Sequence, residues 1–89
     1  MILAKIFTVS QVTYYLKNLL EKDQRLQNIW ITGEISNFTR HSSGHMYFTL
    51  KDQSSRLRAV MFKGENQWLK FQPHDGLEVL VCGRIANQY

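Results

Sequence analysis

Arg40, His41, Ser42, Ser43, His45, Tyr47, Lys51, Arg56, Arg58 and Lys63 lie close together in the middle of the chain, with Phe38 just upstream. Cations contact phosphates, flat rings stack on unpaired bases, and hydroxyls donate to phosphate oxygens. That mixture suits a single-stranded polynucleotide. Arg40 is expected to pair with a phosphate, while Phe38 and His41 either stack on bases or pack against the barrel mouth. Ser42, Ser43 and the amides around His45 are donors to phosphate oxygens. Tyr47 is the better stacking ring, the alternative being a strand-surface tyrosine that covers a neighbour. Arg56 and Arg58 are read as phosphate contacts, flanked by Lys51 and Lys63, although a solvated charged face is the ordinary fate of such residues.

Other chemistries fit less well. His41 and His45 have a spacing that suits a helix, but here it spans a Ser/Gly loop with no cysteine or carboxylate near in sequence, so no metal site is read. Asp52 and Asp75 look like turn residues. Cys82 lies on a strand without a neighbouring base and is read as packing. A nucleophile oriented by a base is not discernible, so neither catalysis nor a cofactor is expected of these residues.

Eighty-nine residues make one small domain, and 44% hydrophobic with 12% aromatic residues is enough for a folded core. The net charge of +4 is concentrated: residues 29–63 carry +3, residues 1–28 carry +2 and residues 64–89 carry −1. A basic middle favours an anionic partner. No stretch approaches a membrane span, and MILAKIFTVSQ is too short and too quickly polar for a secretion signal. The single cysteine allows no internal disulfide and fits a reducing cytoplasm.

The elements that must hold the candidate residues follow from periodicity. Ser10 reads as an N-cap for a helix at about 10–22, with Val12, Tyr15, Leu16, Leu19 and Leu20 on its apolar side. Ile29, Ile31, Gly33 and Ile35 alternate with polar residues in a first strand, where Gly33 implies a bend or a close backbone approach. Trp30 is expected to cover the back of this strand against the helix. Residues 37–44 read as a loop. Met46, Phe48 and Leu50 face inward from a second strand, and a turn at 52–55 leads to a third at 57–62. Residues 64–71 read as a short helix with Trp68, Leu69 and Phe71 inward, and Phe62 is also read as core. Pro73 and Asp75-Gly76 end that helix, and a long fourth strand from Leu77 through Ile85 runs to the end of the chain.

This order is that of the oligonucleotide/oligosaccharide-binding (OB) fold: a five-stranded Greek-key barrel, mainly β with an N-terminal helix, its fifth strand absent here. Residues 1–89 are therefore read as one OB domain truncated before the last barrel strand. The runs TVSQVTYYLKNLLE, NIWITGEISNFTRHSSGHMYFTLKD and LRAVMFKG also closely resemble the amino-terminal domain of exodeoxyribonuclease VII large subunits. The resemblance covers about residues 7–84. It implies an OB domain that binds single-stranded DNA, within an exonuclease that degrades such DNA to oligonucleotides. It also implies a catalytic region downstream and several small subunits as partners. On that reading this chain is itself non-catalytic. Two other readings remain open. One is an OB-type assembly module, whose uncovered strand edges favour a strand-exchanged homo-oligomer; the other is an RNA-binding OB domain.

Overall fold

The computed structural model describes residues 5–87, so the outermost residues of the expected 1–89 domain lie outside the described residues. The elements in chain order are α1 (Val9–Lys22), α2 (Gln24–Gln27), β1 (Ile29–Arg40), β2 (Met46–Lys51), β3 (Arg56–Met61), α3 (Lys63–Asn66) and β4 (Glu78–Gly83). The strands form one open sheet in the order β3-β2-β1-β4. The chain falls into two compact units: residues 5–30 with 82–87, and residues 31–81.

In the first unit, α1 begins earlier than the periodicity implied. Thr8, not Ser10, is the N-cap: its hydroxyl accepts from the Gln11 amide, and Gln11 Oε1 accepts from the Thr8 amide. Thr8-Val9-Ser10-Gln11 is thus a capping box, which satisfies two amide donors that would otherwise face solvent. The apolar side of α1 is open: Tyr15, Leu16 and Leu19 are all exposed. Asp23 then caps α2 through the Arg25 amide and pairs with the Arg25 guanidinium at 3.3 Å. Those interactions, led by the guanidinium hydrogen bond, hold its carboxyl below the ordinary value. Trp30, expected against the helix, is 64% exposed. Cys82 is not packed either: it is exposed, with Sγ donating to Asn28 Oδ1 at 3.2 Å. The long fourth strand also falls short. It ends at Gly83, and the Ile85 amide donates to the Leu26 carbonyl at 2.7 Å rather than extending a ladder.

The second unit holds the core. Ile35, Met46 and Leu50 are the buried apolar residues, all on one face of β1 and β2. Gly33 is buried where the strands approach closely: a Cβ there would sit 3.2 Å from the Lys51 carbonyl oxygen. The close backbone approach implied by glycine is therefore present. β4 joins the other edge of β1, with the Ile35 amide donating to the Leu77 carbonyl and the Gly76 amide to the Ile35 carbonyl.

β1 runs further than expected, through Arg40, so Phe38 and Arg40 are strand residues and only 41–45 form the loop. The Ser/Asn-rich composition concealed a bulge. The β1–β2 register shifts between Ser36 and Thr39, and Asn37 takes φ 51°, a left-handed conformation that asparagine tolerates. Asp75 fixes the displaced chain by accepting the Phe38 amide at 2.8 Å.

The helix expected over 64–71 shrinks to Lys63–Asn66, and of its expected core residues Leu69 is half-buried while Trp68 and Phe71 turn outward. Trp68 is 76% exposed, and Phe71 and Phe62 are exposed as well. A helix that stops after one turn cannot carry the i, i+3 spacing that would align Trp68 with Phe71.

Candidate nucleic-acid interface

The β2–β3 hairpin sorts the candidate side chains by parity. Opposed residues in an antiparallel pair share a face, and faces alternate along each strand. Tyr47 pairs with Val60, Thr49 with Arg58 and Lys51 with Arg56, so all six lie on the face opposite the core. On β1 the same rows continue to Glu34 beside Lys51, Ser36 beside Thr49 and Thr39 beside Tyr47. Three cations and a tyrosine thus share one surface across three strands. Arg56 and Arg58 are exposed, whereas Lys51 is half-buried with Nζ 3.4 Å from Glu34 Oε2.

A tight turn holds the hairpin closed. Asp52 Oδ1 accepts the amides of Ser54 and Ser55 at 3.0 and 2.9 Å, and the Ser55 carbonyl accepts the Asp52 amide. These amide bonds, that from Ser54 first, keep the Asp52 carboxyl below its ordinary range. The turn role expected of Asp52 is the one it has.

Loop 41–45 sits at the far end of the hairpin and is built by its own side chains. His41 Nδ1 accepts the Ser43 amide at 3.0 Å and lies 2.9 Å from Ser43 Oγ. The His41 ring meets Tyr47 edge-on, with centroids 6.3 Å apart, which carries the loop onto the basic face. Ser42 is exposed at the loop tip. His45 faces elsewhere: its Nδ1 accepts the Lys63 amide at 2.9 Å, and its ring meets Phe62 edge-on at 5.3 Å.

Asn66, a residue that periodicity does not single out, locks the loop to α3. It is buried, and its Nδ2 donates to the carbonyls of Gly44 and Met61 at 2.7 and 3.2 Å. Gly44 is required by its backbone, with φ at +97°, and a Cβ there would meet the Lys63 stem at 2.9 Å. Lys63 therefore lies along the loop with its stem against Gly44.

Phe38 and Arg40 stand apart from this surface. The Phe38 ring lies 6.4 Å from that of Phe48, whose strand position is on the core side. Arg40 pairs in register with Met46, also on the core side, and Nη2 donates to Gln72 Oε1 at 3.3 Å. The structure thus gathers Tyr47, Lys51, Arg56, Arg58 and His41, and places Lys63 and His45 along the loop's base. Three supporting residues were not visible as such in the sequence: Asn66, Gln72 and Asp75 in its bond to Phe38. Only the Asp75-Gly76 turn signal hinted at one of them. Among the described residues there is no cluster of three or more His, Cys, Asp or Glu side chains able to hold a metal, and no helix is long and apolar enough to cross a membrane.

An open antiparallel sheet with a bulged, long first strand, a basic outer hairpin face and a built loop between strands one and two has the architecture of an OB-type nucleic-acid-binding domain. The chain belongs to the family described as OB-fold nucleic acid binding domain, which matches residues 7–87. It is similar to exodeoxyribonuclease 7 large subunits. It is 55% identical to that of Shouchella clausii over 92% of this chain and 18% of the relative. It is 55% identical to that of Brevibacillus brevis over 97% and 19%, and 56% identical to that of Bacillus cytotoxicus over 89% and 18%. The chain spans about a fifth of the length of the curated relatives it matches.

Proposed function

We propose that this chain is a single-stranded DNA-binding module, working as one OB domain in the large subunit of a multi-subunit exodeoxyribonuclease. Phosphodiester hydrolysis falls to a region outside these residues, and small subunits complete the enzyme. The observation that carries the reading is the shared outer face of β2 and β3, where Arg56 and Arg58 stand exposed toward one end and Tyr47, in contact with His41 of loop 41–45, stands toward the other. Phosphates engage the two arginines and the exposed Ser42 at the loop tip, while Tyr47, oriented by His41, stacks on a base. Lys63 extends the path along the loop. A cytoplasmic setting agrees with the exposed free thiol of Cys82.

Titration of fluorescent oligo-dT at several salt concentrations tests the proposal. The parent chain is expected to bind, with log K falling linearly against log salt. Arg56→Gln with Arg58→Gln should make the slope shallower by about 1.4, at roughly 0.7 for each phosphate no longer neutralised. A folded sample that ignores oligo-dT at low salt overturns the reading. Tighter binding of a matched RNA oligomer in competition would instead assign the face to RNA.

A further inference from the structure

One residue on the basic face has the wrong sign for its surroundings. Glu34, Lys51 and Arg56 form a single row across β1, β2 and β3, and among the described residues of that row Glu34 is the carboxylate. The Lys51 ammonium is 3.4 Å from Glu34 Oε2, so it is drawn toward β1 and away from Arg56. Both side chains are a little over one-third exposed, at 38% and 37%, so water screens the pair only in part. A phosphate approaching Lys51 must also approach Glu34, which cancels the attraction. Directly opposite Arg56 and Arg58 on β2 stand Lys51 and Thr49, not a carboxylate.

We propose that Glu34 is a specificity-determining residue that holds Lys51 away from phosphate. The polynucleotide backbone is thereby confined to the β3 side of the face, over Arg56 and Arg58. The inference rests on the single-strand-binding reading above. It assigns Glu34 a function in setting the path of the strand, and it separates Lys51 from the cations that bind.

The test compares the parent chain with Glu34→Gln and with the double variant Glu34→Gln/Lys51→Gln, by oligo-dT titration from about 0.05 to about 0.2 M salt. Glutamine matches the shape of glutamate at a partly exposed position, and circular dichroism melts check that each variant is folded. Glu34→Gln should bind more tightly and steepen the salt slope by about 0.7, as Lys51 gains a phosphate. Its advantage over the parent then grows roughly 2.6-fold across that fourfold fall in salt. The double variant has the parent's net charge and should return to the parent's slope. An unchanged slope in Glu34→Gln overturns the inference. So does a double variant shallower than the parent by about 0.7, because Lys51 would then neutralise a phosphate despite Glu34. Loss of binding in the parent itself would sink the underlying functional reading instead.

Discussion

Tyr47 is where the two kinds of attraction on this surface can be separated. Its neighbours along β2 on the same face are Thr49 and Lys51, and its ring meets His41 edge-on. Stacking on a base depends on ring area and not on charge, so its loss should leave salt dependence alone. Tyr47→Leu keeps an apolar side chain while removing the flat ring. Affinity for oligo-dT is expected to fall between about 5-fold and 150-fold, the equivalent of roughly 1–3 kcal/mol for one stacked base. The salt slope should stay at the parent value. A shallower slope would mean that Tyr47 acts by positioning a cation, and an unchanged affinity would mean that bases do not reach it. Arg40 belongs to a different argument: its guanidinium is engaged by Gln72 on the core-side register, so it is not expected to track with Arg56 and Arg58.

At the scale of elements, the β2–β3 hairpin positions the binding face, and Asp52 positions the hairpin. The Asp52 carboxylate accepts two amides, so its folded-state affinity for protons is lowered relative to the unfolded chain. A depressed carboxyl contributes stability that is fully present above the unfolded value, about 3.9, and is lost as pH falls through the lower folded value. Asp52→Ala should therefore lower the melting temperature at neutral pH, with the gap to the parent closing below about pH 4. Thermal melts of both chains from neutral pH down to about pH 2 decide it, and a gap that stays constant throughout would deny the carboxylate its role. The same hairpin explains what was legible in the sequence and what was not. Met46, Phe48 and Leu50 announce their strand by period two, and Asp52-Gln53-Ser54-Ser55 announces its turn, because both signals are local. The extension of β1 through Phe38 was hidden, because the bulge is held by Asp75, 37 residues away. The early stop of α3 was hidden too, since the Asn66 side chain that marks its end is tied to the Gly44 carbonyl, 22 residues away in the chain. Trp68 and Phe71 read as core only on a helix long enough to carry them, and α3 ends before it reaches either.

For the whole molecule, the sheet order β3-β2-β1-β4 leaves β3 and β4 as its edges. The two edges differ in chemistry. β3 carries Arg56 and Arg58 near its start, and charged side chains discourage strand-to-strand pairing. β4 reads Glu-Val-Leu-Val-Cys-Gly, with Leu80 65% exposed, which is the kind of edge that templates another strand. A polypeptide of these 89 residues is thus expected to associate through β4, by pairing of two copies around a two-fold axis. Sedimentation velocity over a range of concentrations should show dimer growing with loading, and Leu80→Lys should return the chain to monomer. The basic face lies on other strands, so Leu80→Lys should still bind oligo-dT with the parent's salt slope. A dimer that persists in Leu80→Lys would place the association elsewhere. Loss of DNA binding together with dimerisation would mean that the two surfaces are one, and that assembly rather than the β2–β3 face creates the site.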